Sequence, residues 1–139
     1  MKKLLLILLV LALILAFAFG TYLYLSLFPK AEPLQHPDAE SIETVYVAKN
    51  RVAEGVELTG QDLTALLEYV YDATPTRRQS VNDSPYVTPY YRITLIAKER
   101  TYMYYVYEED KSVYLESPYE GIYRIEDAVI DLLTSYCSK

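Results

Sequence analysis

The chain has 139 residues and a formal net charge of −6, from 13 basic and 19 acidic residues. Lys2, Lys3 and Lys30 hold three of those basic charges, so the rest of the chain is more acidic still. Such a surface repels nucleic-acid backbones and anionic lipid, and suits solubility or a basic partner.

Met1-Lys2-Lys3 precedes an uncharged apolar run from Leu4 to Phe28. As a helix, that run is long enough to cross the ~30 Å hydrocarbon core of a bilayer. A domain of about 100 residues cannot wrap so uniformly apolar a helix, so membrane insertion is expected over burial in a soluble core. The leading lysines favour a cytoplasmic N-terminus with the following domain outside. Ala16-Phe17-Ala18 and Ala18-Phe19-Gly20 offer small-residue cleavage sites. Against cleavage, the apolar character continues through Tyr22, Leu23, Tyr24, Leu25, Leu27 and Phe28, with tyrosines placed as in an interfacial aromatic belt. The expectation is a single-pass anchor over residues 1–28, with secretion after cleavage as the alternative. The run has no cysteine nearby, which excludes a lipid-modified cysteine.

Residues 29–41, rich in proline up to Pro37, read as an extended spacer that lifts the domain off the surface. The domain is then 42–139. Ile42 to Lys49 alternates as a strand, and Val52 to Leu58 is a weaker second strand interrupted by Gly55. Thr59 is a helix N-cap type, with Asp62 in the first turn. Leu63, Leu66, Leu67, Val70 and Tyr71 then form one apolar helix face. That helix stops before Thr74-Pro75, because the residue before proline avoids the α region. Thr74 to Pro89 is a long loop.

Tyr90 to Lys98 alternates cleanly, with Tyr91, Ile93, Leu95 and Ala97 on one face and Tyr90, Arg92, Thr94 and Ile96 on the other. Glu99-Arg100 turns into Thr101 to Glu108. There Tyr102, Tyr104 and Val106 oppose Met103, Tyr105 and Tyr107. Glu109-Asp110-Lys111 leads into Ser112 to Glu116, a Pro118-to-Gly121 turn, and a short edge segment at Ile122-Tyr123. A final helix begins near Ile125, with Glu126 and Asp127 in its first turn and an apolar stripe of Ile125, Val129, Leu132, Leu133 and Tyr136. The expected fold is α+β: an N-terminal transmembrane helix, then a small antiparallel sheet of four to five strands with two helices on one face.

Two stretches, Gln79-Ser80-Val81-Asn82-Asp83-Ser84-Pro85 and Ser117-Pro118-Tyr119-Glu120-Gly121-Ile122-Tyr123, resemble those of a family of small exported or membrane-anchored bacterial domains of unknown function. Its members carry Ser-Val-Asn-Asp-x-Pro and Pro-Tyr-x-Gly-Ile-Tyr motifs. The likeness runs from about Ile42 to Leu133. It implies an α+β fold outside the cytoplasm and brings no catalytic residues.

The candidate interaction surface is Asn82, Asp83, Tyr102, Tyr104, Tyr105, Tyr107, Tyr119 and Glu120. Asn82-Asp83 and Tyr119-Glu120-Gly121 lie together at one end of the sheet on this reading, forming a groove for a peptide or glycan. The plainer alternative is turn punctuation. Both faces of the Thr101–Glu108 strand carry tyrosines, and only one face can meet the helices, so the other is expected to show its rings to solvent, as interfaces do. Strand propensity alone also enriches tyrosine. Glu108, Glu109, Asp110, Glu116 and Glu120 lack the spacing of a calcium loop and read as solvated. His36 lies in the spacer and Cys137 near the last helix's end, so no nucleophile has a histidine base in reach. No enzyme activity, cofactor or nucleic-acid partner is expected. The partners are the membrane, through the N-terminal helix, and an envelope protein, with a cell-wall polymer as the alternative and an envelope hydrolase a more distant one.

Overall fold

The computed structural model describes residues 1–51 and 54–138. α1 spans Lys2–Leu27, and none of its residues is buried. It is long and apolar enough to cross a membrane, dimensions that fit an anchor or a signal sequence alike.

The rest is built on one antiparallel sheet of seven strands. They are β1 (Ile42–Lys49), β2 (Val56–Glu57), β3 (Thr74–Pro75), β4 (Tyr90–Ala97), β5 (Thr101–Glu109), β6 (Ser112–Ser117) and β7 (Gly121–Arg124), in the order β2-β1-β4-β5-β6-β7-β3. The expected four to five strands are too few. The additional pairing comes from two-residue strands, β2 and β3, which are too short to show an alternating pattern. β3 falls inside the stretch expected as loop and pairs with Tyr123 and Arg124, so β7 is an interior strand rather than an edge. Of the expected Val52–Leu58 strand, Val52 and Ala53 lie outside the described residues, and Val56–Glu57 pairs with Tyr46 and Val47. The β5–β6 hairpin turns through Asp110 and Lys111, both at positive φ (50° and 61°), as a tight hairpin requires.

α2 is Gly60–Tyr71 and α3 is Val129–Cys137. Thr59 holds the N-cap position of α2 without a side-chain cap bond, and Asp62 lies in its first turn. α3 begins later than expected. Glu126 and Asp127 precede it, and Asp127 instead receives Arg124 Nη2–H at 2.8 Å and the Val113 N–H at 3.4 Å. Ile125 is buried in the core ahead of the helix.

Strand alternation sends Val45, Val47, Tyr91, Ile93, Leu95, Tyr104, Val106, Val113, Leu115 and Tyr123 to one face. There they form a single cluster with Leu58, Leu66, Val70, Val129 and Leu133. Each fully buried side chain of this size contributes about 1.5–3 kcal/mol. The expected spacer completes this front face instead of lifting the domain away. Leu34 and Pro37 are buried. Three tyrosine hydroxyls from the sheet and α2 hold the segment's carbonyls: Tyr123 to Glu32 at 3.0 Å, Tyr104 to Gln35 at 2.5 Å and Tyr71 to Pro37 at 3.1 Å. The His36 ring lies 4.3 Å from that of Tyr71. An extended chain leaves its carbonyls unpaired, and phenols rising from the front face supply the missing donors.

The back face is half covered. The loop from Thr76 to Pro89 crosses it, and Val87 packs with Tyr90, Tyr105, Tyr107 and Tyr114. Tyr105 is 7% exposed and Tyr107 2% exposed, which corrects the expectation of a solvent-facing tyrosine surface. A sheet face too apolar for water has been roofed by a loop rather than a helix.

Candidate functional site

The two sequence motifs meet. The Tyr119 hydroxyl donates to Asp83 Oδ1 at 2.6 Å, and the Tyr119 amide donates to Ser80 Oγ at 3.2 Å. Ser80 Oγ in turn donates to Glu116 Oε1 at 2.6 Å, a contact buried under the loop. The Glu116 side chain, 4% exposed, is therefore held by a hydroxyl, as a buried polar group must be. Ser117 Oγ donates to Glu120 Oε2 at 2.7 Å. Arg78 lies 4.6 Å over the Tyr114 ring and pairs with Glu109, pinning the start of the loop to β5 and β6. The loop thus meets the β6–β7 turn through Ser80 and Asp83 and then closes like a strap over one half of the back face on its way to β4.

The other half is open. One cleft there, about 570 Å³, is lined by Tyr46, Ala48, Arg92, Thr94 and Met103 from β1, β4 and β5, with Glu54 and Gly55 at its rim. A second, about 390 Å³, opens beside the start of β5 and is lined from both faces of that strand, by Met103 and Tyr105 on the back and Tyr102 and Tyr104 on the front, with Asp83, Arg100 and Glu120 around them. Met103 lines both clefts and is 42% exposed. The Tyr105 hydroxyl donates to its sulfur at 3.2 Å. The clefts are therefore neighbours on one strip, running from β1 across β4 and β5 to the turn after β6.

The eight candidate residues separate into groups. Asp83, Tyr119 and Glu120 come together at one end of the sheet, and Asn82, half-buried, receives the exposed Tyr86 hydroxyl at 3.0 Å. Tyr102 lines the second cleft, but its ring is capped by the Arg100 guanidinium at 4.1 Å. Arg100 also donates to Gln35 Oε1 at 3.1 Å. Tyr104 is a front-face core residue whose hydroxyl holds Gln35. Tyr105 contributes only an edge to the strip, and Tyr107 lies beneath the loop. Burial pushes the Tyr104 and Tyr107 phenols well above the ordinary value. The hydrogen bond to Asp83 raises that of Tyr119. Arg92, Thr94 and Met103 were not singled out from the sequence. The signal was present in the alternation, which put Arg92 and Thr94 opposite Ile93 and Leu95, and in the register that sets Thr94 beside Met103. Among the described residues no group of three or more His, Cys, Asp or Glu is arranged to hold a metal ion.

Fold and site together define a small α+β domain led by a membrane-length helix, with both sheet faces covered except for one strip. The family DUF5301, described as a domain of unknown function (DUF5300), matches residues 30–124, and the chain belongs to that family. The match begins at residue 30 because the segment after α1 is a working part of the domain, earlier than the Ile42 start expected from the motifs. A protein from Ruminococcus gnavus solved by NMR has a similar fold, with a TM-score of 0.58 at 24% identity over 71% of this chain and 97% of that one. No curated protein matches the chain.

Proposed function

We propose that this chain is a membrane-anchored, non-catalytic recognition module that binds a protein segment at the outer envelope surface. α1 holds it in the membrane with Lys2 and Lys3 on the cytoplasmic side, and the back-face strip takes the partner. The observation that carries this reading is the uncovered half-face itself: two adjoining clefts meeting at an exposed methionine. Met103 offers apolar contact, and Arg92, Arg100, Glu54, Asp83 and Glu120 surround it with mixed charge. That is the composition of a protein interface, with methionine adaptable to its partner's shape.

A glycan platform is less well supported, because sugar stacking needs a free aromatic face. Arg100 covers Tyr102, Arg78 covers Tyr114, and Tyr90 packs edge-on against Tyr105. The non-catalytic reading draws on the carboxylates nearest the strip. Asp83, Glu116 and Glu120 each already serve a hydroxyl partner. The edge strands β2 and β3, at two residues each, give little length for strand addition, which also points to the face.

The test is affinity capture with the full chain in solubilised native membrane. Met103→Arg, on the strip, loses the captured protein, whereas Glu68→Arg, on the exposed side of α2, retains it. Equal capture by both variants places the contact elsewhere.

A further inference from the structure

The cleft between the end of α1 and the Tyr119 turn adjoins the far end of the strip, where Glu120 borders both. Its geometry is set by how closely the domain follows the helix. Arg77 Nη1 donates to the Phe28 carbonyl at 2.6 Å, and Ala31 N–H donates to the Thr76 carbonyl at 2.9 Å. No free chain separates the last turn of α1 from the sheet. The surface around that point must therefore lie where the helix leaves its apolar solvent.

That surface has the composition of a membrane interface. Val81 and Tyr119 are 65% and 66% exposed. With Pro29, Lys30, Arg78 and Glu120 they border a cleft of about 310 Å³. Among the described residues Lys30 pairs with no carboxylate. Beyond Lys30 the chain carries ten basic against nineteen acidic residues, yet Arg77 stands at this place, and Arg78, its charge paired with Glu109, borders it. Glu120 is the one carboxylate that lines this cleft, and Lys30 and Arg77 set two positive charges against it.

Tyr119 adds an independent sign. The Glu120 N–H closes a turn on the Ser117 carbonyl at 3.1 Å, with Pro118 and Tyr119 in its centre. Tyr119 sits at φ 64°, where glycine or asparagine is the ordinary residue. A left-handed conformation costs an L-residue about 1–2 kcal/mol. Its hydroxyl reaches Asp83, yet the residue stays 66% exposed, and tyrosine is a residue of headgroup depth.

We infer that the surface formed by Lys30, Arg77, Val81 and Tyr119 rests on the outer-leaflet lipid headgroups, with a lipid phosphate at Lys30. This rests on the anchor reading of α1 and adds to it. The domain lies on the bilayer in one orientation, and the back-face strip is presented sideways along the membrane rather than held off by a spacer.

The experiment uses the full chain carrying Cys137→Ser, reconstituted into vesicles of phosphatidylethanolamine and phosphatidylglycerol. Single cysteines replace Leu13, Val81 or Glu68 in turn and carry an environment-sensitive fluorophore. Lipids spin-labelled near the headgroup quench the Val81 and Glu68 probes, since interfacial groups settle ~5–10 Å into that region, and lipids spin-labelled at the end of the acyl chain quench the Leu13 probe near the bilayer centre. Leu13→Cys and Val81→Cys are quenched severalfold more than Glu68→Cys, and adding Tyr119→Ser reduces quenching at Val81. Quenching at Leu13 with Val81 no different from Glu68 overturns the docking and leaves the anchor standing. No quenching at Leu13 removes the anchor reading, and the docking falls with it.

Discussion

Gly121→Ala tests whether the segment after α1 is part of the fold. Gly121 opens β7, and an added Cβ lies 2.5 Å from the Ala31 Cβ. Carbon atoms prefer ~3.5–4.0 Å, so one backbone must move by about an ångström. Neither is free to do so. Ala31 is tied to Thr76, Glu32 is held by Tyr123, and Gly121 pairs with Ser117. Overpacking of this kind costs about 1–3 kcal/mol. In a domain of 60–100 residues each kcal/mol lowers Tm by roughly 4–8 °C. The sign is decisive, because alanine is otherwise better than glycine inside a strand by about 0.5–1 kcal/mol. A free spacer predicts a raised Tm, and a docked one predicts a fall. Thermal unfolding of the full chain in micelles, followed by near-ultraviolet dichroism, reads the difference. Ala31→Gly in the same chain removes the clashing methyl and restores most of the loss. A Gly121→Ala protein as stable as the parent, or more so, refutes the docked segment.

Ser80→Ala leaves the buried Glu116 carboxylate with one hydroxyl partner fewer, at a cost of about 1–3 kcal/mol; faster amide exchange confined to 76–89 distinguishes loop release from general unfolding. Tyr119→Gly removes the left-handed backbone cost of about 1–2 kcal/mol and one exposed hydrogen bond, so Tm holds or rises; a large fall would show that the ring is a fold element. Burial raises the Tyr104, Tyr107 and Tyr123 phenols above the ordinary value. The unfolded chain releases those protons first, so their contribution is intact below about pH 10 and is lost as pH climbs above it. Absorbance of tyrosinate at alkaline pH therefore shows a class of tyrosines that ionise together with loss of the near-ultraviolet signal. Titration of every tyrosine without unfolding would contradict the burial.

The long strands were legible because Tyr91–Ala97 alternates buried with half-buried residues and Thr101–Glu109 is a tyrosine-rich, β-prone run bounded by charged turns. β2 and β3 were not, since two residues have no period and their place depends on partners far along the chain. The spacer misled for a related reason. Proline and polar residues mark an extended chain, but only the tyrosines of remote strands decide whether that chain is held. The same tyrosines were read as a display surface because sequence alternation assigns a face without saying what covers it. The motif contact between Asp83 and Tyr119 was legible, because turn residues fix where two loops stand at the sheet's end. The strip around Met103 was not, since it is defined by the half-face the loop leaves bare.

The most direct test of the binding surface is photo-crosslinking in cells that carry the full chain. A photoreactive phenylalanine analogue replaces Met103 in one strain and Glu68 in another, under the same illumination. The account predicts one discrete protein adduct from position 103 and none from position 68. The same adduct from both positions, or a product from 68 alone, would contradict it.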